Sequence, residues 1–322
     1  MARQRAPALW VYVSLCWHGA FSLVQNFDAV SDRISTLEND QQIPVVTVWF
    51  AQSIDVDHYL WAGLCATLRA GNVAHLLTTA TSILQPLGMD LPGLRVINMS
   101  ELKLRPSHAA FLKAYRPMGL VEPYEVHNTE RYYYVLAHME KEALSHVFHA
   151  DTDVAVLRQL SITTLPSGCS GIVQIGGKKN IISAHATDWS NWAGSGILSR
   201  DMLAEFAEYV PRLYKPEHIG ALQFKRKTKP YVTDMTFWYM FTVSSDPSFD
   251  RQVAWNHAQF PLPKVNATFK ICSGQPLGFD HMNGHIRSTL ATSSLTSVHF
   301  RAKGDMADWL QCGVAPISTK PK

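Results

Sequence analysis

A chain of 322 residues, 47% hydrophobic and 17% charged, can bury one large α/β core or two small ones. A formal net charge of +3, from 29 basic and 26 acidic side chains, excludes the strongly basic signature of a polyanion-binding protein. The 14 histidines form no H-E-x-x-H motif and the five cysteines no C-x-x-C pair, so no zinc site is indicated.

Arg3 and Arg5 precede an apolar run over residues 6–24, the pattern of a signal peptide or a signal anchor. Ala20, Phe21 and Ser22 offer small residues for cleavage. The run is short for a span, which needs about 20 apolar residues. Cleaved signal, anchor and buried first helix all stay open over residues 1–25. Residues 26–42 are polar and suit a stem; residues 43–315 are the expected folded domain and 316–322 a tail.

Residues 43–50 read as a buried strand, 58–70 as a helix ended by Gly71 and Asn72, and 73–77 and 94–99 as further strands. An amphipathic helix is expected over 130–145, followed directly by a strand ending at Asp151 and Asp153. This alternation predicts a parallel sheet with helices on both faces and ligands at the carboxyl ends of its strands. Asp55 and Asp57 read as polar loop and helix N-cap residues, the alternative being a loop that touches the nucleotide. After Leu157 the pattern loosens. It gives a strand over 172–175, a turn over 176–180 and a small-residue loop over 189–198. A helix over 200–210 with Ser199 as N-cap, a helix opening at Asp234, an irregular polar segment over 271–283 and a closing segment over 298–304 follow. Cys65, Cys169, Cys272 and Cys312 can pair in three ways or remain buried thiols. Asn98 and Asn266 each open an N-glycosylation sequon.

Asp151 and Asp153, spaced i, i+2, project to one side of an extended chain. Held that close, two carboxylates repel unless a cation lies between them. Hard divalent ions such as Mg²⁺ and Mn²⁺ prefer such oxygen ligands and share them with phosphates. The alternative is a solvated β-turn. The apolar flanks, residues 147–150 and 154–157, make that a costly place for unpaired charge.

In their order these pieces resemble a GT-A-fold glycosyltransferase with a D-x-D motif, over about residues 45–309. The resemblance rests on Tyr124-Glu125, Glu130-Arg131-Tyr132, Asp151-Thr152-Asp153, Trp192-Ala193-Gly194-Ser195-Gly196, Thr233-Asp234-Met235 and His299-Phe300-Arg301-Ala302-Lys303. The last departs from the H-F-x-G of many relatives, with alanine at 302 and glycine at 304. The resemblance implies a GT-A-like α/β fold: a mostly parallel central sheet flanked by helices, with a smaller mixed acceptor-side part after Leu157. It implies a metal-dependent enzyme of hexosyltransferase type, moving a sugar from a nucleoside-diphosphate sugar to a hydroxyl of a glycan or glycoprotein. The metal would be Mn²⁺ or Mg²⁺, with Asp153 and His299 as ligands and Asp151 on the ribose or on the metal through water. Arg301 and Lys303 would neutralise the diphosphate, and Arg131 would pair with Asp151 or the donor. Gly194 and Gly196 would let backbone approach the sugar, and Asp280 and His281 would lie nearby. Asp234 would deprotonate the acceptor or bind donor hydroxyls.

Each residue has a plainer reading: a core histidine at 299, a surface lysine at 303, a surface ion pair at Arg131, a helix N-cap at Asp234 and a tight turn at the glycines. Two rival functions are a haloacid-dehalogenase-like phosphatase with Asp151 as nucleophile and an inactive sugar-binding protein on the same fold. The first normally opens its domain with this motif, whereas here about a hundred residues of strand–helix pattern precede it. With Arg3 and Arg5 on the cytoplasmic side, the domain is expected in the secretory pathway, in the Golgi or ER lumen. No nucleic-acid partner is expected.

Overall fold

The computed structural model describes residues 42–50, 58–81, 91–117, 124–175, 191–228, 232–245, 261–273, 279–282 and 297–300. The expected leader and stem, Asp55, Asp57, Arg301, Lys303, Cys16 and Cys312 lie outside them.

A strand covered on both faces has no solvent side, so it reads as a continuous apolar run. β1 (Val45–Trp49) and β2 (Ala74–Thr78) are buried at every position. Between them α1 (His58–Arg69) ends where Gly71 takes a positive φ of 80°, the left-handed turn that glycine adopts without steric cost. β3 (Leu94–Asn98) lies outside β2 and is partly open to solvent. α2 (Pro106–Ala114) starts with proline, whose missing N–H costs nothing in the first turn.

α3 (Tyr124–Lys141) begins at Tyr124 rather than Glu130 and stops short of Ser145. Ala143 turns left-handed there, and the Leu144 N–H closes on the Met139 carbonyl at 2.8 Å. β4 (His146–Ala150) follows, then β5 (Val154–Val156). The rest of the chain supplies β6 (Gly171–Ile175), β7 (Asn191–Ser199), α4 (Arg200–Leu213), α5 (Ile219–Thr228), α6 (Asp234–Ser245), β8 (Ile271–Ser273), β9 (Phe279–Met282) and β10 (Ser297–Phe300). Ser199 caps α4 as expected, its hydroxyl accepting from the Met202 N–H.

Among the described residues, seven strands form the central sheet in the order β3-β2-β1-β4-β7-β6-β8, and three form a second sheet in the order β5-β10-β9. In the large sheet β7 alone is antiparallel to its neighbours. The fold is therefore the α/β class expected, a mostly parallel sheet between helices. Alternate residues of β1 face opposite layers. Val46 and Val48 join a core built with α3, α4 and α6, whereas Trp49 packs with Leu60 and Leu64 of α1.

Two expectations change. The small-residue stretch expected as a loop is β7, and the segment expected as irregular contains β8 and β9. Alanine, glycine and serine have little strand propensity of their own. β7 is a strand because β4 and β6 hydrogen-bond to it on both sides. The space that a Cβ at Gly196 would fill lies 2.3 Å from the Ile172 carbonyl oxygen, so glycine is what lets β6 approach this closely.

The sequence left three cysteine pairings open; the structure joins Cys169 to Cys272 across 103 positions. This clamps the start of β6 to the parallel edge strand β8, where Ile172 pairs with Cys272. Cross-linking a loop of that length restricts the unfolded chain strongly. Cys272→Ser is expected to lower stability by about 2–4 kcal/mol, read as a fall in Tm, and Cys169→Ser should match it. A Tm unchanged in both variants would mean that the bridge does not stabilise the fold. No described helix is long and apolar enough to cross a membrane.

Candidate functional site

The strand order reverses direction between β1 and β4, with β2 and β3 on one side and β7 on the other. In open α/β sheets the crevice beyond the carboxyl ends of such a strand pair receives ligands. Asp151 is the first residue past β4 there. Its N–H donates to the Gly194 carbonyl at 2.7 Å, and its carbonyl accepts from the Val154 N–H at 3.0 Å. The D-x-D is thus the tight turn by which the chain leaves the central sheet at Ala150 and enters the small one at Val154. Both flanks are buried, and both aspartates are half-buried.

Arg131 reaches this turn from α3. Nη1 donates to Asp151 Oδ1, and Nη2 donates to Asp234 Oδ2 at 2.6 Å and to the Tyr132 hydroxyl at 3.1 Å. The Tyr132 hydroxyl donates in turn to Asp234 Oδ2 at 3.1 Å. The Arg131 side chain is only 12% exposed and that of Asp234 5%, so this is a buried cluster and not a surface ion pair. Burial opposes the charge on Arg131. Asp151 first, then Tyr132 and Asp234, more than restore it and hold the guanidinium well above its ordinary pKa. Burial keeps Tyr132 a neutral phenol despite the nearby cation.

Asp234 opens α6 without capping it. The Thr233 carbonyl accepts the first helical N–H groups, from Thr236 and Phe237, and the Asp234 carboxylate turns to Arg131 and Tyr132. Below the cluster His149 donates from Nδ1 to the Val46 carbonyl at 3.2 Å. Burial foremost, and then Arg131, push its pKa down to about 3, so the ring is neutral.

Phe50, directly after β1, stacks on His127 with ring centroids 4.3 Å apart. His127 stands one helical turn before Arg131 on the same face of α3. Glu130 joins His127 Nδ1 at 3.2 Å and His108 Nε2 at 2.8 Å. Sequence reasoning gave no role to Tyr132, His149, Phe50 or His127. The i, i+4 spacing to Arg131 was the available sign for His127, and the strand end for Phe50.

β10 sits between β5 and β9. Its register sets His299 opposite Val154, the residue after Asp153, and beside His281 of β9. A buried 2.7 Å hydrogen bond between the Ser195 and Ser297 hydroxyls ties β10 to β7. Side-chain positions of His299, Asp280 and His281 lie outside what the structure describes. Among the described residues, no three histidine, cysteine, aspartate or glutamate side chains gather as a metal-holding group.

No protein-family model matches the chain, and no curated protein sequence does. Among solved structures, the chain is similar to the PaToxG Glycosyltransferase, at 12% identity over 74% of this chain and 83% of that one, with a TM-score of 0.37. A glycosyltransferase involved in the glycosylation of the major capsid of PBCV-1 aligns at 9% identity over 83% and 98%, TM-score 0.38. The bifunctional glycosyltransferase WbbM aligns at 10% identity over 85% of this chain, TM-score 0.42; there the chain spans 50% of the other's length. At these scores the likeness carries no functional argument.

Proposed function

We propose that this protein is a metal-dependent glycosyltransferase that moves a sugar from a nucleoside-diphosphate sugar to a hydroxyl of a glycan or glycoprotein. The observation that carries the reading is the Arg131 clasp. A D-x-D turn stands at the switch point of the sheet, held by a buried guanidinium that also holds Asp234. The donor set suits a hard cation, because two carboxylates on one turn supply oxygen and the register of β10 brings the His299 position alongside. Asp153 and His299 would hold Mn²⁺, or Mg²⁺, with Asp151 acting through water or on the ribose. Bound there, the cation would stabilise the negative charge of the departing diphosphate.

The chain's own residues do the rest. Arg131 fixes the direction of Asp151 and lowers the repulsion within the D-x-D. Arg301 and Lys303 follow β10 and supply fixed positive charge to the diphosphate. The Gly194 carbonyl accepts the Asp151 N–H and so sets the D-x-D turn against β7. Of the two roles open to Asp234, binding donor hydroxyls fits better than taking the acceptor proton, because Oδ2 already accepts from Arg131 and Tyr132. The same clasp argues against a phosphatase, since Asp151 as nucleophile would have to attack while paired to Arg131.

The N-terminal Arg3, Arg5 and apolar run support a secretory-pathway location, in the Golgi or ER lumen, by anchor or cleaved signal. The Cys169–Cys272 bridge agrees with this, because disulfides persist in oxidising compartments.

The test is turnover of a panel of nucleoside-diphosphate sugars with Mn²⁺, Mg²⁺ or chelator. Metal-dependent release of nucleoside diphosphate is expected, and Asp153→Ala should reduce it by about 100-fold or more, a scale set by loss of electrostatic stabilisation at one site. Its Tm is measured alongside, so that lost turnover in a folded protein is told apart from unfolding. Hydrolysis of a phosphomonoester instead, or turnover indifferent to both chelator and Asp153→Ala, would overturn the reading.

A further inference from the structure

The two sequons occupy different environments. Asn98 ends β3 and caps a short 3₁₀ turn. Its Oδ1 accepts from the Ser100 N–H at 3.0 Å and the Ser100 hydroxyl at 2.8 Å, while Met99 between them is buried. Both the asparagine and the hydroxyl that a glycosylating enzyme must read are therefore built into the turn, and the middle residue belongs to the core. Asn266, Ala267 and Thr268 are all exposed, in a bend outside any helix or strand, with Phe269 anchoring the segment behind them.

Asn266 is also held. Its N–H donates to Glu205 Oε1 at 3.2 Å and its Nδ2 donates to Glu205 Oε2 at 3.2 Å. Glu205 is fixed by Arg212 Nη2 at 2.8 Å, and Arg212 Nη1 donates to the Lys264 carbonyl at 2.8 Å. An asparagine amide carries two donor hydrogens. Glycosylation replaces one and leaves the other for Glu205.

We propose that Asn266, and not Asn98, is an N-glycosylation site, and that Glu205 orients the modified amide away from α4. The proposal rests on the secretory location proposed above. In the transfer, Asn266 Nδ2 attacks the anomeric carbon of a lipid-diphosphate-linked oligosaccharide. The C–N bond forms as the bond from that carbon to the diphosphate oxygen breaks; Nδ2 loses a proton and the lipid diphosphate departs. A glycan here stands on a solvated bend, where a bulky polar group is tolerated.

The full chain is expressed in a glycosylating eukaryotic host in two forms, with its own N-terminus and behind a foreign cleavable signal peptide. Each is digested with an amidase that removes N-glycans, and its peptides are weighed. One glycan is expected, on Asn266. Thr268→Ala, which keeps the Asn266–Glu205 hydrogen bonds and removes only the acceptor motif, should abolish it; Asn98→Gln should leave it in place. Glycosylation of the foreign-signal form alone upholds the site and overturns the secretory reading instead. An unmodified Asn266 in the foreign-signal form, or a glycan on Asn98, overturns the proposal.

Discussion

Arg131→Met is expected to lower unfolding stability by about 3–5 kcal/mol, the cost of removing one partner from a buried charge cluster. Methionine keeps the bulk but leaves Asp151 and Asp234 facing each other with the cation gone. Arg131→Lys should fare little better. One ammonium cannot present two separate nitrogens, as the guanidinium does with Nη1 to Asp151 and Nη2 to Asp234. Adding Asp234→Asn to Arg131→Met removes one of the stranded charges and should recover part of the loss, a coupling that a double-mutant cycle measures directly. Chemical denaturation of wild type, Arg131→Met, Asp234→Asn and the double variant, with Arg131→Lys beside them, decides it. A single-mutant loss below about 1 kcal/mol, the scale of an exposed ion pair, would mean that the cluster is solvated and the clasp does not organise the site.

Acid should destabilise the protein well before its carboxylates protonate. His75 on β2 and His138 on α3 share a 2.8 Å hydrogen bond in the core, with their rings edge to face. Burial foremost depresses both pKa values, to about 3 for His75 and about 4 for His138. Arg95 and Lys141 push the same way on His138, and Glu142 pushes back. The sign follows directly. Unfolded histidines bind protons below about pH 6.5, while the folded pair stays neutral until about pH 4. Stability contributed by the pair is therefore complete above pH 6.5 and is lost as pH falls toward the folded values. At about 1.4 kcal/mol per pH unit and histidine, the loss by pH 4.5 is about 5 kcal/mol for the pair. Tm measured from pH 7.5 to 4.5 should fall steeply below 6.5, and His138→Gln should flatten that slope. An equal slope in wild type and variant would assign the acid sensitivity elsewhere.

The first half of the fold was legible because β1, β2 and β4 are buried along almost their whole length. Val45-Val46-Thr47-Val48-Trp49 and Val147-Phe148-His149-Ala150 leave no other reading. β7 was not legible, because Ala193, Gly194, Ser195 and Gly196 become a strand only through partners distant in the chain. α5 left no sign that sequence reasoning used. At the site, motif order picked out Arg131, Asp151 and Asp234, and offered Asp151 or the donor as the partner of Arg131. That the same guanidinium also holds Asp234 depends on α6 packing against α3, a contact between residues more than a hundred positions apart that no local pattern encodes. Tyr132 was hidden for a related reason: inside a helix rich in tyrosine, nothing local separates the ring that bonds Asp234 from those that only fill the core.

The place of β10 bears on when the protein becomes whole. Synthesis runs from the N-terminus, and among the described residues every strand of the large sheet precedes Ser297. The small sheet cannot form until β10 arrives, because β10 is its middle strand and both β5 and β9 pair through it. Closing that loop carries an entropic cost that nearby pairings do not. A chain broken off before residue 297 would thus retain its main scaffold and leave two strand edges unsatisfied, a state prone to aggregation. The second sheet is in this way the later of the two to close, and the turn at Asp151 gains β10 as a neighbour only after the strands β1 to β8 have been made.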